Sequence, residues 1–411
     1  MISKLKNIFI SQLYPISLYA RQIAGTVVLF VIARYLSVYY YGVFSSYKAI
    51  ASFILILACL GYNEYILVSS KKNIFDVKLK IALFLLNAFG IILISTIASL
   101  CCNIELHLIF ILVLLRTFFD VTFFSLALPY FQASSKFKEI AIINFIYSFL
   151  VISIAGISYL LKLSLLKFLL ISCVIGLINF IQCSLYIKIN YFIVLFKINR
   201  YLKLIDKTIF GYMGVMIAFL LYSQIPSLYV ATYLPKEDAA TYFSAFTIAG
   251  IIGLLIAAQN QKIVPEMINS SKEKIEILIK NNFKLIMTIN TLIFISFCII
   301  GKNLLTLIYG QDYYANGYYP LLIFTISNIS LALANIYGAY ITASGNQHIK
   351  IKMQIEAILI SIISLLIFNK LGIYAATLAY LLSATHIGIR YVIKTKQLLK
   401  NKEIQEEIKG E

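Results

Sequence analysis

Residues 208–235 read TIFGYMGVMIAFLLYSQIPSLYVATYLP, a run between Lys207 and Lys236 that holds no Asp, Glu, Lys or Arg. About 20 residues of α-helix cross a hydrocarbon core about 30 Å thick, so this run is long enough to span a bilayer. Its apolar and polar residues do not alternate as they do in a barrel strand, and backbone polar groups inside lipid must be satisfied within the segment. The run therefore predicts a transmembrane α-helix.

Similar windows recur along the whole chain. Three more lie between Lys80 and Glu105, between Asp238 and Lys262, and between Lys370 and Arg390. The 411 residues are 61% hydrophobic and 13% charged, whereas soluble domains are about half apolar and a quarter charged. We predict an all-α integral membrane protein of about twelve transmembrane helices, with spans at 8–34, 43–69, 79–101, 106–133, 140–161, 166–187, 209–234, 239–262, 283–300, 317–343, 351–369 and 371–393.

A basic, amphipathic stretch divides these spans into two sets of six. Residues 191–207 read YFIVLFKINRYLKLIDK, with basic residues three or four apart and apolar residues on the other face, which is typical of an interfacial helix. The predicted organisation is an N-terminal lobe at 1–190, an interfacial linker at 191–207, a C-terminal lobe at 208–396 and a cytoplasmic tail at 397–411. Two six-helix halves are typical of transporters that rock about a central site.

The distribution of basic residues predicts the topology. The net charge of +18 comes from Lys and Arg dispersed among apolar segments, which does not indicate a nucleic-acid surface. Basic residues concentrate after even-numbered spans, and the positive-inside rule then places both termini in the cytoplasm. They include Lys71, Lys72, Lys136, Lys138, Lys197, Arg200, Lys272, Lys274, Lys350, Lys352, Lys394 and Lys396.

Three charged residues deep in predicted spans are the main candidates for a binding site. Arg21 lies near mid-depth in the first span, and Arg116 lies comparably deep in the fourth. A charge there costs several kcal/mol, so its side chain is expected to face a cavity or a partner. Asp120 follows Arg116 by four positions and shares its helix face, so the pair forms either an internal salt bridge or a ligand or proton site.

Other polar residues in the spans are weaker candidates for the binding site. Glu64 either snorkels to the interface or belongs to the same central cavity, and Arg34 and Lys48 are expected to anchor in headgroups near the outer face. Asn87 and Asn290 belong to a larger set of deep amides that ordinarily make interhelical hydrogen bonds. The deep amides also include Gln22, Asn144, Asn179, Gln182, Gln224, Asn328 and Asn335.

The sequence carries no recognisable catalytic or cofactor motif. We find no phosphate-binding glycine loop, no GxSxG and no metal-ligand cluster among its six Cys and three His. We therefore predict a transporter without catalytic residues, metal or cofactor. Its energy would come from an ion gradient or from the gradient of its own substrate.

Several short motifs resemble those of one transporter family. Val31-Ile-Ala-Arg34-Tyr-Leu-Ser37 followed by Tyr41-Gly-Val-Phe44 resembles the ARxLG...YGxF pattern of Wzx-type polysaccharide flippases. Further matches follow in the family's order over the rest of the chain. They are Tyr233-Leu-Pro-Lys-Glu-Asp-Ala-Ala-Thr-Tyr242, Val264-Pro265-Glu266, Ile308-Tyr309-Gly310-Gln-Asp-Tyr313, Ala343-Ser-Gly-Asn-Gln347 and Leu371-Gly372-Ile-Tyr-Ala-Ala376-Thr377.

This resemblance implies the fold of the MOP superfamily, which also contains the MATE drug exporters and the lipid II flippases. It implies a bacterial inner-membrane protein that moves undecaprenyl-pyrophosphate-linked oligosaccharide from the cytoplasmic to the periplasmic leaflet by alternating access. A polysaccharide polymerase and a chain-length regulator are candidate partners. Family members often carry an acidic residue where this chain has Ser223-Gln224-Ile-Pro226. We expect Gln224 to line the central cavity, where it can hydrogen-bond but cannot titrate. The forks of Arg21 and Arg116 suit the pyrophosphate expected in a cationic cavity.

Two other functions stay open. A drug or metabolite exporter of the same superfamily would hold an acidic cation site among its helices. An O-antigen polymerase or membrane acyltransferase would need a large external loop or a catalytic His or Asp group, and the predicted external loops are short.

Overall fold

The computed structural model describes residues 2–59, 104–123, 128, 137–187, 208–268, 270–344 and 346–410. In this part of the chain the backbone forms α-helices joined by short turns, and no strand occurs. The helices are α1 (Ile2–Tyr35), α2 (Val38–Cys59), α3 (Ile104–Thr122), α4 (Phe137–Leu160), α5 (Leu165–Ile187), α6 (Thr208–Tyr233), α7 (Lys236–Ile268), α8 (Lys272–Ile308), α9 (Gln311–Ala343), α10 (Gln347–Phe368) and α11 (Ile373–Gly410). The predicted all-α class is confirmed.

Within the described residues, eight helices are long and apolar enough to cross a membrane. Many large apolar side chains on them are exposed, for example Phe149, Leu185 and Ile299, each more than 70% accessible. A water-soluble protein would cover such side chains, whereas lipid is their natural solvent. The predicted span at 79–101 and the predicted linker at 191–207 lie outside the described residues.

Several helices are longer than the apolar spans that predict them. The span predicted at 283–300 lies inside α8, which begins at Lys272 and ends at Ile308. The extra turns carry exposed charges such as Lys274 and Lys280, which suit the aqueous side of an interface. Hydropathy marks the part of a helix inside lipid, and the helix itself continues where its polar side chains meet water.

The chain divides into two compact units, Met1–Ile217 and Ala218–Glu411. In the first unit α1 packs against α4, and α3 packs against both α2 and α5. A buried apolar cluster lies beside the candidate site, with Phe123 just after α3, Ile140 and Ile143 of α4, and Cys183 of α5.

In the second unit α9 is the central helix, since α7, α8 and α11 all pack against it. Tyr242 of α7, Phe324 of α9 and Tyr380 of α11 meet edge to face, with ring centroids 5.1–5.6 Å apart. Phe246 joins the same group. Such aromatic pairs add about 0.5–1.5 kcal/mol each beyond the area that they bury, so this group fixes the three helices together.

Candidate functional site

Arg21 lies at the centre of a polar group inside the first unit and is only 3% exposed. Its guanidinium carbon is 3.7 Å from the ring centroid of Phe123 and 3.7 Å from that of Tyr147. A guanidinium between two rings makes cation–π contacts, which gain strength away from water. The contacts fix the plane of the guanidinium, so that its N–H groups point in set directions.

Asp120 links Arg21 to Arg116. Its Oδ2 is 2.8 Å from Arg116 Nη1, and its Oδ1 is 3.5 Å from Arg21 Nη2. Tyr147 donates its hydroxyl proton to Asp120 Oδ1 at 2.7 Å and accepts a hydrogen bond from Arg116 Nη2. One carboxylate and one phenol therefore hold two guanidinium groups side by side.

Two amides complete the surroundings of Arg21. Arg21 Nη1 donates to Asn179 Oδ1 at 3.3 Å and to Asn144 Oδ1 at 3.5 Å. Asn144 Nδ2 in turn donates to Ser17 Oγ at 3.2 Å. We call this set the Arg21 cluster: Ser17 and Arg21 of α1, Arg116 and Asp120 of α3, Phe123 just after α3, Asn144 and Tyr147 of α4, and Asn179 of α5.

The Arg21 cluster is positively charged and open on one side. The side chain of Asp120 is 35% accessible and that of Arg116 is 16% accessible, whereas that of Arg21 is 2% accessible. Lys48 of α2 is exposed and lies within electrostatic range of Arg116 and Asp120. Among the described residues, two guanidinium groups contact one carboxylate and Lys48 interacts with it at longer range, so the open edge attracts anions.

The structure brings together three of the five residues predicted to line a central cavity, Arg21, Arg116 and Asp120. Gln224 is half-buried on α6 in the second unit, and Glu64 lies outside the described residues together with Asn87. Arg34 is exposed in the last turn of α1. Lys48 was expected to be an anchor, and its position near Asp120 also gives it an electrostatic role at the cluster.

Asn290 was expected to make an interhelical hydrogen bond, but the hydrogen bond that it makes lies within its own helix. It is fully buried on α8, and its Nδ2 donates to the carbonyl oxygen of Ile286 one turn earlier at 2.8 Å. Among the described residues its Oδ1 has no partner. The amide is thus bound within its own helix, whereas Asn144 and Asn179 reach across helices to Arg21.

A second charged group lies between α10 and α11 and was missed from the sequence. Glu356 accepts hydrogen bonds from Arg390 Nε at 2.9 Å and from Arg390 Nη2 at 3.1 Å. His386 Nε2 lies 3.0 Å from Glu356 Oε2. The signal was available, because Glu356 falls inside the predicted span 351–369 and His386 and Arg390 lie four residues apart in the next span.

Comparisons with known proteins locate the fold. No protein-family model matches the sequence, and no curated protein matches it significantly. The structure resembles the lipid II flippase MurJ in an inward closed conformation, at 14% identity over 93% of this chain and 87% of that chain, with a TM-score of 0.70.

Two transporters of another kind have the same architecture. An inward-facing multidrug resistance MATE family transporter of the MOP superfamily matches at 11% identity over 93% of this chain and 95% of that chain, with a TM-score of 0.68. The eukaryotic MATE transporter AtDTX14 matches at 12% identity over 96% of this chain and 98% of that chain, with a TM-score of 0.55. The chain therefore has the fold of the MOP superfamily, as the sequence resemblance implied.

Proposed function

We propose that the protein is a flippase that moves a lipid-linked oligosaccharide diphosphate between the leaflets of a bacterial inner membrane. The observation that carries this proposal is the pair of guanidinium groups, Arg21 and Arg116, on the single carboxylate of Asp120. Guanidinium forks match the oxygens of a diphosphate and keep their charge away from water. The family motifs named above favour an undecaprenyl-linked substrate.

The open edge of the Arg21 cluster suits the approach of a diphosphate. Arg116 is partly accessible at that edge, while Arg21 is held behind it by the two rings. An entering anion would meet Arg116 first. It would then compete with Asp120 for the guanidinium group of Arg116. Asp120 is thus the counter-ion of Arg21 and Arg116 when no substrate is bound, and it holds both side chains in position.

The charge of the cluster argues against export of organic cations. A site for a cationic drug needs an available carboxylate, whereas Asp120 is already within 3.5 Å of two guanidinium groups and accepts a hydrogen bond from Tyr147. Two guanidinium groups on one carboxylate leave a net positive charge that repels a cation. Drug export is therefore the second candidate, and it rests on the shared MATE fold alone.

Reconstituted vesicles test the proposal. The full chain is placed in proteoliposomes with a fluorescent prenyl-diphosphate sugar, and the fraction open to an impermeant quencher is followed over time. Arg116→Gln should lower the flipping rate by at least tenfold, because one fork for the diphosphate is lost. Arg116→Lys keeps the charge without the fork and should be intermediate.

Lys138→Gln is the matched control, since Lys138 is an exposed cation at the start of α4 outside the cluster. It should flip at the wild-type rate. Gel filtration and the thermal midpoint check that each variant is folded. Wild-type flipping by folded Arg116→Gln would overturn the diphosphate assignment, and efflux of cationic dye by the same vesicles would support the exporter instead.

A further inference from the structure

Glu356, His386 and Arg390 in the second unit are not used by the proposed function. The bidentate contact with Glu356 occupies Nε and Nη2 of Arg390, which leaves its outer nitrogen, Nη1, without a partner among the described residues. The side chain of Arg390 is 39% accessible. Its guanidinium is thus fixed on one edge and open on the other.

Two lysines extend this charged group in one direction. Lys352 precedes Glu356 by one turn of α10, and Lys394 follows Arg390 by one turn of α11. Because α10 and α11 are joined by the short turn at 369–372 and pack together, the two lysines lie on the same side of the Glu356–Arg390 pair. Lys394 Nζ is held by Gln397 Oε1 at 3.3 Å.

The opposite direction carries no charge as far as the turn, where Lys370 lies. Residues 357–368 of α10 and 373–385 of α11 hold no Asp, Glu, Lys or Arg. Twelve helical residues rise about 18 Å, which matches an acyl chain in one leaflet of a core about 30 Å thick. These segments carry exposed aliphatic side chains, namely Leu359, Ile363, Leu366 and Leu382.

A surface with apolar side chains along one leaflet and cations at its end has the shape of an amphiphile. We propose that the α10–α11 face binds an anionic glycerophospholipid, with its phosphate on Arg390 and Lys394 and its acyl chains along the aliphatic side chains. Arg390 contacts Glu356, and Lys352 and Lys394 lie one turn further along α10 and α11, so the cations outnumber the carboxylate and suit an anionic headgroup. Aliphatic neighbours offer nothing to an oligosaccharide, which makes a phospholipid the occupant.

Substitution of Glu356 distinguishes a specific lipid site from a general attraction of anionic lipids to basic helix ends. If charge alone mattered, Glu356→Gln would strengthen binding, because it removes a negative charge. In a built site the same change weakens binding, since Arg390 loses the carboxylate that aligns its fork. The two explanations therefore predict opposite signs for one isosteric substitution.

The experiment uses the purified full chain in detergent. Native mass spectrometry counts bound phosphatidylglycerol during a titration, with phosphatidylcholine of the same acyl chains as the reference lipid. We expect preferential binding of phosphatidylglycerol, a loss of roughly fivefold in affinity for each cation removed in Arg390→Gln and Lys394→Gln, and weaker binding by Glu356→Gln. Lys302→Gln is the control, since Lys302 lies against Tyr318 on another helix pair.

Each contrary outcome has a defined meaning. Equal binding of both lipids by the wild type, or equal or tighter phosphatidylglycerol binding by Glu356→Gln, would overturn the site. A thermal shift with inorganic phosphate as large as with the lipid would show an anion site without lipid recognition and would also overturn it. If Arg390→Gln alone is unstable, the double variant Glu356→Gln/Arg390→Gln replaces it in the titration. It removes both charges of the ion pair and so leaves neither one unpaired.

Discussion

At the level of single residues, Arg21 meets three kinds of partner at once. Two rings lie 3.7 Å from its guanidinium carbon, two amide oxygens accept from Nη1, and Asp120 lies near Nη2. A buried cation without such partners would cost several kcal/mol. The cluster therefore stabilises the first unit and also presents Arg116 at its open edge. Single substitutions can measure how much each member contributes to stability.

Asp120→Asn should destabilise the first unit. The change removes the carboxylate but keeps the volume, leaving buried Arg21 and partly accessible Arg116 without their counter-ion. Loss of one partner in a fully buried ion pair costs about 3–5 kcal/mol. Because the side chain of Asp120 is 35% accessible, we expect a smaller loss, measured as a fall in thermal midpoint in detergent. Glu276→Gln is the control, because Lys272 and Glu276 have the same i,i+4 spacing at 3.8 Å but Glu276 is 53% exposed. Equal losses in both variants would contradict a buried network.

Tyr147→Phe separates the ring from its hydroxyl. The ring stays over Arg21, whereas the hydrogen bonds with Asp120 and Arg116 are lost. A buried hydrogen bond to a charged group contributes about 1.5–3 kcal/mol, so the thermal midpoint should fall, though less than in Asp120→Asn. Tyr159→Phe, at an exposed tyrosine on the same helix, should leave the midpoint unchanged. A Tyr147→Phe midpoint equal to that of the wild type would mean that the hydroxyl contributes nothing.

The sequence predicted the charged members of this cluster but not its assembly. Arg116 and Asp120 share a helix face by spacing alone, and the cost of charge in lipid selected Arg21. The contact between Arg21 and Asp120 joins residues 99 positions apart, which no local pattern encodes. Tyr147 is one of 30 tyrosines, so nothing in composition or spacing distinguished it.

At the level of helices, hydropathy located the apolar segments better than the helix ends. α11 continues from the predicted span 371–393 to Gly410 through charged turns, because a helix needs its apolar face only inside lipid. Close contacts between helices were not visible in the sequence either. α9 and α11 cross closely at Gly388, where Ser330 and Thr385 hydroxyls are 3.2 Å apart.

Gly388→Ala should weaken that crossing. A Cβ added at Gly388 would lie 2.8 Å from the carbonyl oxygen of Ser330, a backbone atom that cannot rotate away. Overpacking of this kind costs about 1–3 kcal/mol, seen as a lower thermal midpoint. Gly250→Ala on α7 is the control, because a Cβ there meets nothing within 4 Å. Its midpoint should hold or rise slightly, since alanine favours helix over glycine. An unchanged midpoint in Gly388→Ala would mean that the helices separate at little cost.

At the level of the whole molecule, sequence identities of 11–14% accompany a shared fold over more than 90% of the chain. The reason is physical. Lipid requires helices of a set length, and many apolar sequences satisfy that requirement equally well. The helix pattern therefore predicted the architecture, whereas in our proposal the substrate depends on a few side chains such as Arg21 and Arg116.

The direction of transport depends on topology, which the positive-inside rule predicts. Seven predicted spans separate the turn at Leu163–Ser164 from the C-terminus, so these two points should lie on opposite sides of the membrane. Alkaline phosphatase fused at Ser164 should be active, and the same enzyme fused at Glu411 should be inactive, while a fluorescent cytoplasmic reporter should show the reverse. A fusion at Asn346 should behave like the C-terminus, because two spans separate them. The reversed pattern at all three sites would invert the topology, and the Lys352–Lys394 end of α10–α11 would then face the outer leaflet. Activity at both Ser164 and Glu411 would instead mean an even number of crossings between them, which would contradict two six-helix halves.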